Sequence, residues 1–360
     1  MEDGVTPPRE KTDLCLTPFS KITEERVRWL WPAVVPYGKL TLFVGHPGEG
    51  KSLATLDLAV RVSAGRQLPD GSAVMPANVL LSFCEDGAGD TVKPRLRAAG
   101  ANLAKVFETR RRKERDGTET LLDLSNDLHD LSVEIERTEA KLLVFDPITA
   151  YLGTNVNSWK DDEVRRLLEP VGSLADATGC AVVAVMHLNK QMGQDPRARV
   201  TGSIAFTGVA RSVMLFGPHP EDQHRELHEQ RKICAPVKMN LTKAPEARVY
   251  RIHENSEGIA VLGWEAQTSL TANDLLAPPP SAATDGKLDK AILLLQTQLV
   301  NGGVPAADLF SAAKQHGISV ITLRRAKEKL NILASQEAYK DTTRWRWSLP
   351  KPVKPKAARR

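Results

Sequence analysis

Gly45-His46-Pro47-Gly48-Glu49-Gly50-Lys51-Ser52 decides the fold of this 360-residue chain. The pattern GxxxxGK[ST] arises by chance in a chain of this length roughly once in a hundred, taking ~7% glycine and similar single-residue frequencies. Its surroundings narrow the reading further. An apolar run at residues 40–44 leads into it, and the stretch after Lys51 carries Leu53, Leu56 and Val60 at helical spacing before Gly65 supplies a stop. Strand, glycine loop and helix in that order make a phosphate cradle. The glycines let backbone N–H groups turn inward onto phosphate oxygens at the positive end of the helix. Gly45, His46, Pro47, Gly48, Glu49 and Gly50 are therefore expected to line a nucleotide. Lys51 is expected to neutralise its β- and γ-phosphates, and Ser52 to ligate Mg²⁺. The expected cofactors are ATP and Mg²⁺.

Outward from the loop, short apolar runs bounded by turn residues read as buried parallel strands. Residues 78–83 precede Glu85-Asp86, residues 142–145 precede Asp146-Pro147, residues 181–186 precede His187, and residues 212–216 follow Arg211. A helical segment at 164–177 contains Pro170, which should kink or split it. The alternation implies an α/β fold with a doubly wound, mostly parallel sheet. Runs at 235–241 and 249–252 extend it antiparallel. A hydrophobic share of 41% permits a sizeable core, and 5% aromatics suits an α/β chain better than an all-β one. No apolar run approaches the ~20 residues that span a membrane, and the polar start lacks a signal peptide, so a cytoplasmic location without membrane contact is expected. Cys15, Cys84, Cys180 and Cys234 contain no CxxC pair, which argues against zinc and dithiol chemistry.

Three residues at strand ends are candidates for the chemistry. Asp146 ends LLVFD and can hold the water shell of Mg²⁺ beside the cradle. Glu85 ends NVLLSFCE and is a natural base for the attacking water, although adjacent Asp86 offers the same group. His187 ends AVVAVM on the rim where open α/β sheets bind ligands, and is read as a γ-phosphate sensor. The polar loop 191–203, with Lys190, Arg197 and Arg199, reads either as a nucleic-acid contact or as a solvated loop.

Ala277-Pro278-Pro279-Pro280-Ser281 is the clearest linker. Beyond it, helices at 288–300, 305–316 and 320–330, the last capped by Ser319, precede a hairpin of 336–339 with 344–348. Three helices and a hairpin describe a winged helix. Thr322, Arg325 and Lys329 fall on one face of its third helix, flanked by Arg324 and Lys327, a cationic surface suited to the DNA major groove. Lys340 and Arg344 would lie on the wing. Basic residues from Lys351 to Arg360 are either phosphate contacts or a solvated tail. The expected organisation is a flexible segment 1–26, a nucleotide-hydrolysing domain 27–270, a linker 271–287, the winged helix 288–349 and the tail 350–360.

The succession GHPGEGKS (45–52), VLLSFCED (79–86), LLVFDPITAYLG (142–153), AVVAVMHLNK (181–190) and TGSIAFTGVARSVML (201–215) resembles the RecA-type core of plasmid RepA-like hexameric helicases and their phage and prophage relatives. The likeness covers about residues 27–265. It implies that Lys51 and Ser52 are the Walker A pair, Asp146 the Walker B carboxylate, Glu85 the catalytic glutamate and His187 the sensor. It further implies that Arg211 is an arginine finger given to a neighbouring subunit, and that Lys238 and Asn240 of PVKMN lie near the subunit interface at the nucleotide. The chain departs from the pattern in its C-terminal extension and in Met186, where a second histidine is common. The resemblance implies a homo-oligomer, hexameric in this family, with single-stranded DNA held by the core and duplex by the winged helix. Two other readings compete: an ATP-switched DNA-binding regulator without unwinding activity, and a small-molecule kinase. Against the kinase, no arginine-rich lid follows the core.

Overall fold

The apolar runs assemble around the strand that feeds the glycine loop. In the computed structural model the described residues are 16–112, 117–153, 161–188, 208–222, 225–226, 229–276, 285–339 and 342–350. Cys15, Lys190, Arg197, Arg199, the prolines at 278–280, Lys340 and the tail from 351 lie outside them. A short pair, β1 (Trp29–Trp31) and β2 (Val35–Pro36), precedes β3 (Leu40–Gly45) and helix α1 (Lys51–Ala64). Next come β4 (Val79–Phe83), α2 (Lys93–Ala99), β5 (Val106–Glu108), the pair β6 (Arg111–Arg112) and β7 (Glu119–Thr120), and α3 (Leu128–Thr138). β8 (Leu142–Asp146), α4 (Asp161–Thr178), β9 (Ala181–His187) and β10 (Ser212–Pro218) complete the parallel part. β11 (Lys232–Met239), β12 (Ala247–Glu254), β13 (Ala260–Thr268) and the short helix α5 (Ala272–Leu276) come after them.

One nine-stranded sheet runs in the order β13-β12-β11-β10-β3-β9-β8-β4-β5. Neighbours from β5 to β10 are parallel, and β10, β11, β12 and β13 pair antiparallel. Side chains of β3 alternate between two apolar layers. Leu40, Leu42 and Val44 pack with α3 and α4, whereas Phe43 packs with α1 and the Trp31 region. Both faces are covered, which is why these strands read as continuous apolar runs. This is an α/β core with a mostly parallel sheet, in which the glycine loop joins the central strand β3 to α1. Pro170 does not split α4, which runs unbroken from Asp161 to Thr178. Val164, Leu168, Val171, Leu174 and Ala175 are all buried in the core, and that burial outweighs the ~3 kcal/mol that an interior proline costs.

The C-terminal unit has its own core, built on Leu295, Leu309, Leu323, Ala326 and Trp347. Helices α6 (Asp285–Leu299), α7 (Ala306–Gln315) and α8 (Val320–Lys329) pack with a three-stranded sheet of β14 (Val304–Pro305), β16 (Thr342–Ser348) and β15 (Leu333–Tyr339), in that order. Pro305 belongs to β14, not to the helix expected from residue 305, because Val304 and Pro305 pair with Trp347 and Arg346. Helix α5, at a position expected to be linker, packs on the main sheet with Ala272, Asp274 and Leu275 buried. Among the described residues no helix is long and apolar enough to cross a membrane.

Candidate nucleotide site

The loop between β3 and α1 is open at the helix N-terminus. Gly50 precedes Lys51 in the left-handed region at φ 77°, and a Cβ there would lie 2.7 Å from Cδ1 of Ile252. Only glycine meets both conditions. Lys51 is 4% exposed, and its Nζ donates to the His46 carbonyl at 2.8 Å. Burial pushes its ammonium down to about 8, while Asp146, Glu49 and Glu85 pull it back up and Lys232 adds to the fall. A polyphosphate would restore the charge. Within the loop, the Glu49 side chain is engaged by a lysine from a distant strand. Its carboxylate holds Lys232 at 2.7 Å, and its carbonyl accepts from the Tyr250 hydroxyl.

Strand register brings the remaining candidates to one edge of the sheet. Gly45 pairs with His187 and Phe83 with Asp146, so β3 ends level with β9 and β4 with β8; Phe145 pairs with Ala184, so β4 and β8 end two residues short of the other two on the same side of the sheet. Ser52 hydrogen-bonds Asp146, whose carboxyl is pushed up to about 6. Burial is the main cause, Glu85 and Asp86 add to it, and Ser52 and Lys51 oppose it. A hydroxyl and a carboxylate in contact are hard oxygen donors, a set that suits Mg²⁺, and a divalent cation would relieve the buried charge. Glu85, its side chain 61% exposed, has Oε1 3.6 Å from Nε2 of His187, a near approach and not a hydrogen bond. Burial, then Lys51, lower the His187 pKa against the pull of Glu85, so the ring is neutral at pH 7. Asp86 is committed elsewhere, to Arg95 at 2.6 Å. The structure thus separates two acids that the sequence left equivalent.

Arg211 and Lys238 lie at the opposite edge. The Arg211 N–H donates to the Leu40 carbonyl, at the start of β3, while Phe216 is level with Gly45. Five strand residues, roughly 16 Å, separate Arg211 from its own cradle. Lys238 pairs with Val213, and its Nζ donates to the Ala210 carbonyl at 2.9 Å. Burial, then Arg211, lower its pKa. A groove of about 520 Å³ beside Arg211 is lined by Lys39, Arg165, Glu169 and Asp176.

The third helix of the C-terminal unit departs from its expected exposure. Thr322 is 4% exposed, because its hydroxyl and N–H turn in to the capping hydroxyl of Ser319. Arg324 is paired with buried Asp274 of α5 at 2.8 Å. Glu328 meets the Thr268 hydroxyl at 3.4 Å, Arg325 is half-buried and Lys329 is exposed. The expected cationic face therefore lies partly against the main sheet. Lys190, Arg197 and Arg199 lie outside the described residues. The sequence reading missed Arg95, Lys232, Tyr250 and Trp264. Only Arg95, nine residues from Asp86, left a local signal.

Comparison with known proteins places the chain in a family. A KaiC-like protein from the hyperthermophilic archaeon Pyrococcus horikoshii OT3 superposes with a TM-score of 0.45 at 14% identity, over 66% of this chain and 99% of that one. No curated protein matches the chain. The AAA domain family matches residues 6–193, a span that holds the glycine loop, Glu85, Asp146 and His187. The chain belongs to the AAA domain family.

Proposed function

We propose that this chain hydrolyses ATP at interfaces between identical subunits and acts on DNA, as a RepA-like replicative helicase or helicase-like motor of a mobile element. The observation that carries the reading is the two-ended sheet: the cradle is at one edge, and Arg211 with Lys238 is at the other. An arginine that far from its own phosphates acts on hydrolysis only from a neighbouring copy. Head-to-tail subunits repeat such a contact around a ring, and the proposed ring is a hexamer.

Within the site, loop amides and Lys51 hold the phosphates, and Ser52 and Asp146 hold Mg²⁺, which when bound neutralises phosphate charge. Glu85 takes the proton of the attacking water. Neutral His187 reads the γ-phosphate, and Arg211 of the next subunit stabilises the charge that develops on it. We read the C-terminal unit as a winged helix for duplex DNA, with single-stranded DNA held by the core. Its three helices, three-stranded sheet and basic residues Arg325 and Lys329 support that reading.

A second reading, an ATP-switched DNA-binding regulator, is favoured by one observation: α8 is tied to the core through Arg324 and Asp274. The deciding experiment measures ATP hydrolysis with and without single-stranded DNA, and strand displacement on a forked duplex. The motor reading expects stimulation by DNA and release of the displaced strand. Hydrolysis without displacement transfers the weight to the regulator, and phosphate transfer to an acceptor other than water to a kinase.

A further inference from the structure

The antiparallel part of the sheet makes contacts that a mere extension of the core does not require. Strand β11 opens on Lys232 at the cradle edge and closes on Lys238 and Met239 at the edge of Arg211. Lys232 is 8% exposed and Glu49 14%, and their 2.7 Å ion pair closes over the glycine loop from 183 residues away. The fully buried Tyr250 on β12 donates its hydroxyl to the Glu49 carbonyl. Ile252, two residues on, fills the space where a Cβ of Gly50 would stand. Trp264 on β13 donates its indole N–H to Asp57 of α1 at 2.8 Å and packs at 5.4 Å against both Trp31 and Tyr250. Three consecutive strands thus each fasten one point of the loop or of the helix after it.

We propose that Lys232 and Tyr250 are positioning residues for nucleotide binding, a brace that holds the glycine loop in its phosphate-receiving shape and keeps the charge of the Glu49 carboxylate compensated. The proposal rests on the nucleotide-hydrolysis reading of the same loop. Two effects make the brace matter. A loop whose carbonyl and carboxylate are both anchored loses less freedom when phosphates bind, so it binds them more tightly. An unpaired carboxylate one residue from Gly50 would repel an incoming polyanion, and Lys232 removes that repulsion by closing on it.

The test compares steady-state ATP hydrolysis by the full-length chain and by Lys232→Met, Lys232→Arg, Tyr250→Phe and the double variant Lys232→Met/Glu49→Gln, each checked for cooperative thermal unfolding. Lys232→Met should raise KM for ATP about ten- to a hundredfold, the range spanned by loss of a charged hydrogen bond, with a smaller change in kcat. Lys232→Arg should keep most of the affinity. Adding Glu49→Gln to Lys232→Met should lower KM again, because the unpaired charge is gone. A purely structural role predicts no such rescue. An unchanged KM in Lys232→Met, or a raised KM that neither arginine nor Glu49→Gln improves, overturns the proposal. If Lys232→Met does not fold, Tyr250→Phe decides, since it deletes one hydroxyl: a raised KM supports the brace and an unchanged KM overturns it. If the wild-type chain hydrolyses no ATP, the hydrolysis reading fails by itself. The brace is then judged by the same pattern in the Kd of a fluorescent ATP analogue.

Discussion

Replacing Glu85 by glutamine removes a carboxylate without changing its size, and the surroundings of the two adjacent acids set the size of the effect. Asp86 is held by Arg95 at 2.6 Å through Oδ2, so one of its oxygens is occupied and its negative charge is compensated. Glu85 is mostly exposed at the rim, 3.6 Å from a histidine whose lowered pKa leaves it uncharged. An exposed carboxylate beside Lys51 and Asp146 is the group able to accept a proton from water. Loss of a general base costs ~10²–10⁴ in rate, about 3–5 kcal/mol in the barrier. Glu85→Gln should therefore release phosphate at least a hundredfold more slowly at saturating ATP and Mg²⁺, while a fluorescent ATP analogue binds it with unchanged Kd. Asp86→Asn leaves Arg95 unpaired at a part-exposed position and should lose less than about tenfold, as expected for a surface ion pair. Rapid phosphate release with purified variants measures both. A normal rate in Glu85→Gln together with a dead Asp86→Asn would refute the assignment of the base.

Lys51→Ala should abolish nucleotide binding in an equilibrium titration, since the buried ammonium is the main cation of the cradle. Asp222 is a stability prediction. Burial alone would push its carboxyl up, yet hydrogen bonds from the Arg231 side chain and backbone hold it down at about 2, below the ordinary 3.8. That stability is fully present above pH ~4 and is lost as pH falls through about 2. Asp222→Asn should therefore unfold in urea with on the order of 2 kcal/mol less stability at pH 7, and the gap should narrow towards pH 2. The fragment 285–360, which carries its own apolar core, should bind duplex DNA with an affinity that falls steeply with salt. Filter binding of an Arg325→Ala/Lys329→Ala double variant that matches the parent removes the groove-insertion account.

The legible parts of the fold were those in which chemistry and position coincide locally. β3, β4, β8, β9 and β10 announced themselves because strands buried on both faces are unbroken apolar runs, and the acids and histidine at their ends then fell on one edge. β5 and β13 were not legible, since Val106–Glu108 is short and largely exposed and Ala260–Thr268 is only partly buried. Helical spacing sorted α8 into faces but did not say which face another element covers, so Thr322 and Arg324 were misplaced on an open surface. The bond from Lys232 to Glu49 spans 183 residues, and a lysine opening an apolar strand gives no sign of its partner. Arg211 was legible as a charge at a strand end, but its distance from the cradle emerged only from the pairing of β10 with β3.

The central claim, that each site is completed by the neighbouring chain, is tested by mixing two inactive proteins. Arg211→Ala should bind ATP normally and hydrolyse it ~10³–10⁵ more slowly, and Lys51→Ala should not bind it. In an equal mixture that exchanges subunits, about a quarter of the interfaces combine an intact Lys51 cradle with an intact Arg211, so hydrolysis should recover to about a quarter of the wild-type rate. Exchange is monitored by energy transfer between differently labelled subunits. Recovery near that level is the result the account predicts. No recovery despite demonstrated exchange, or wild-type hydrolysis by a monomeric form, would contradict it.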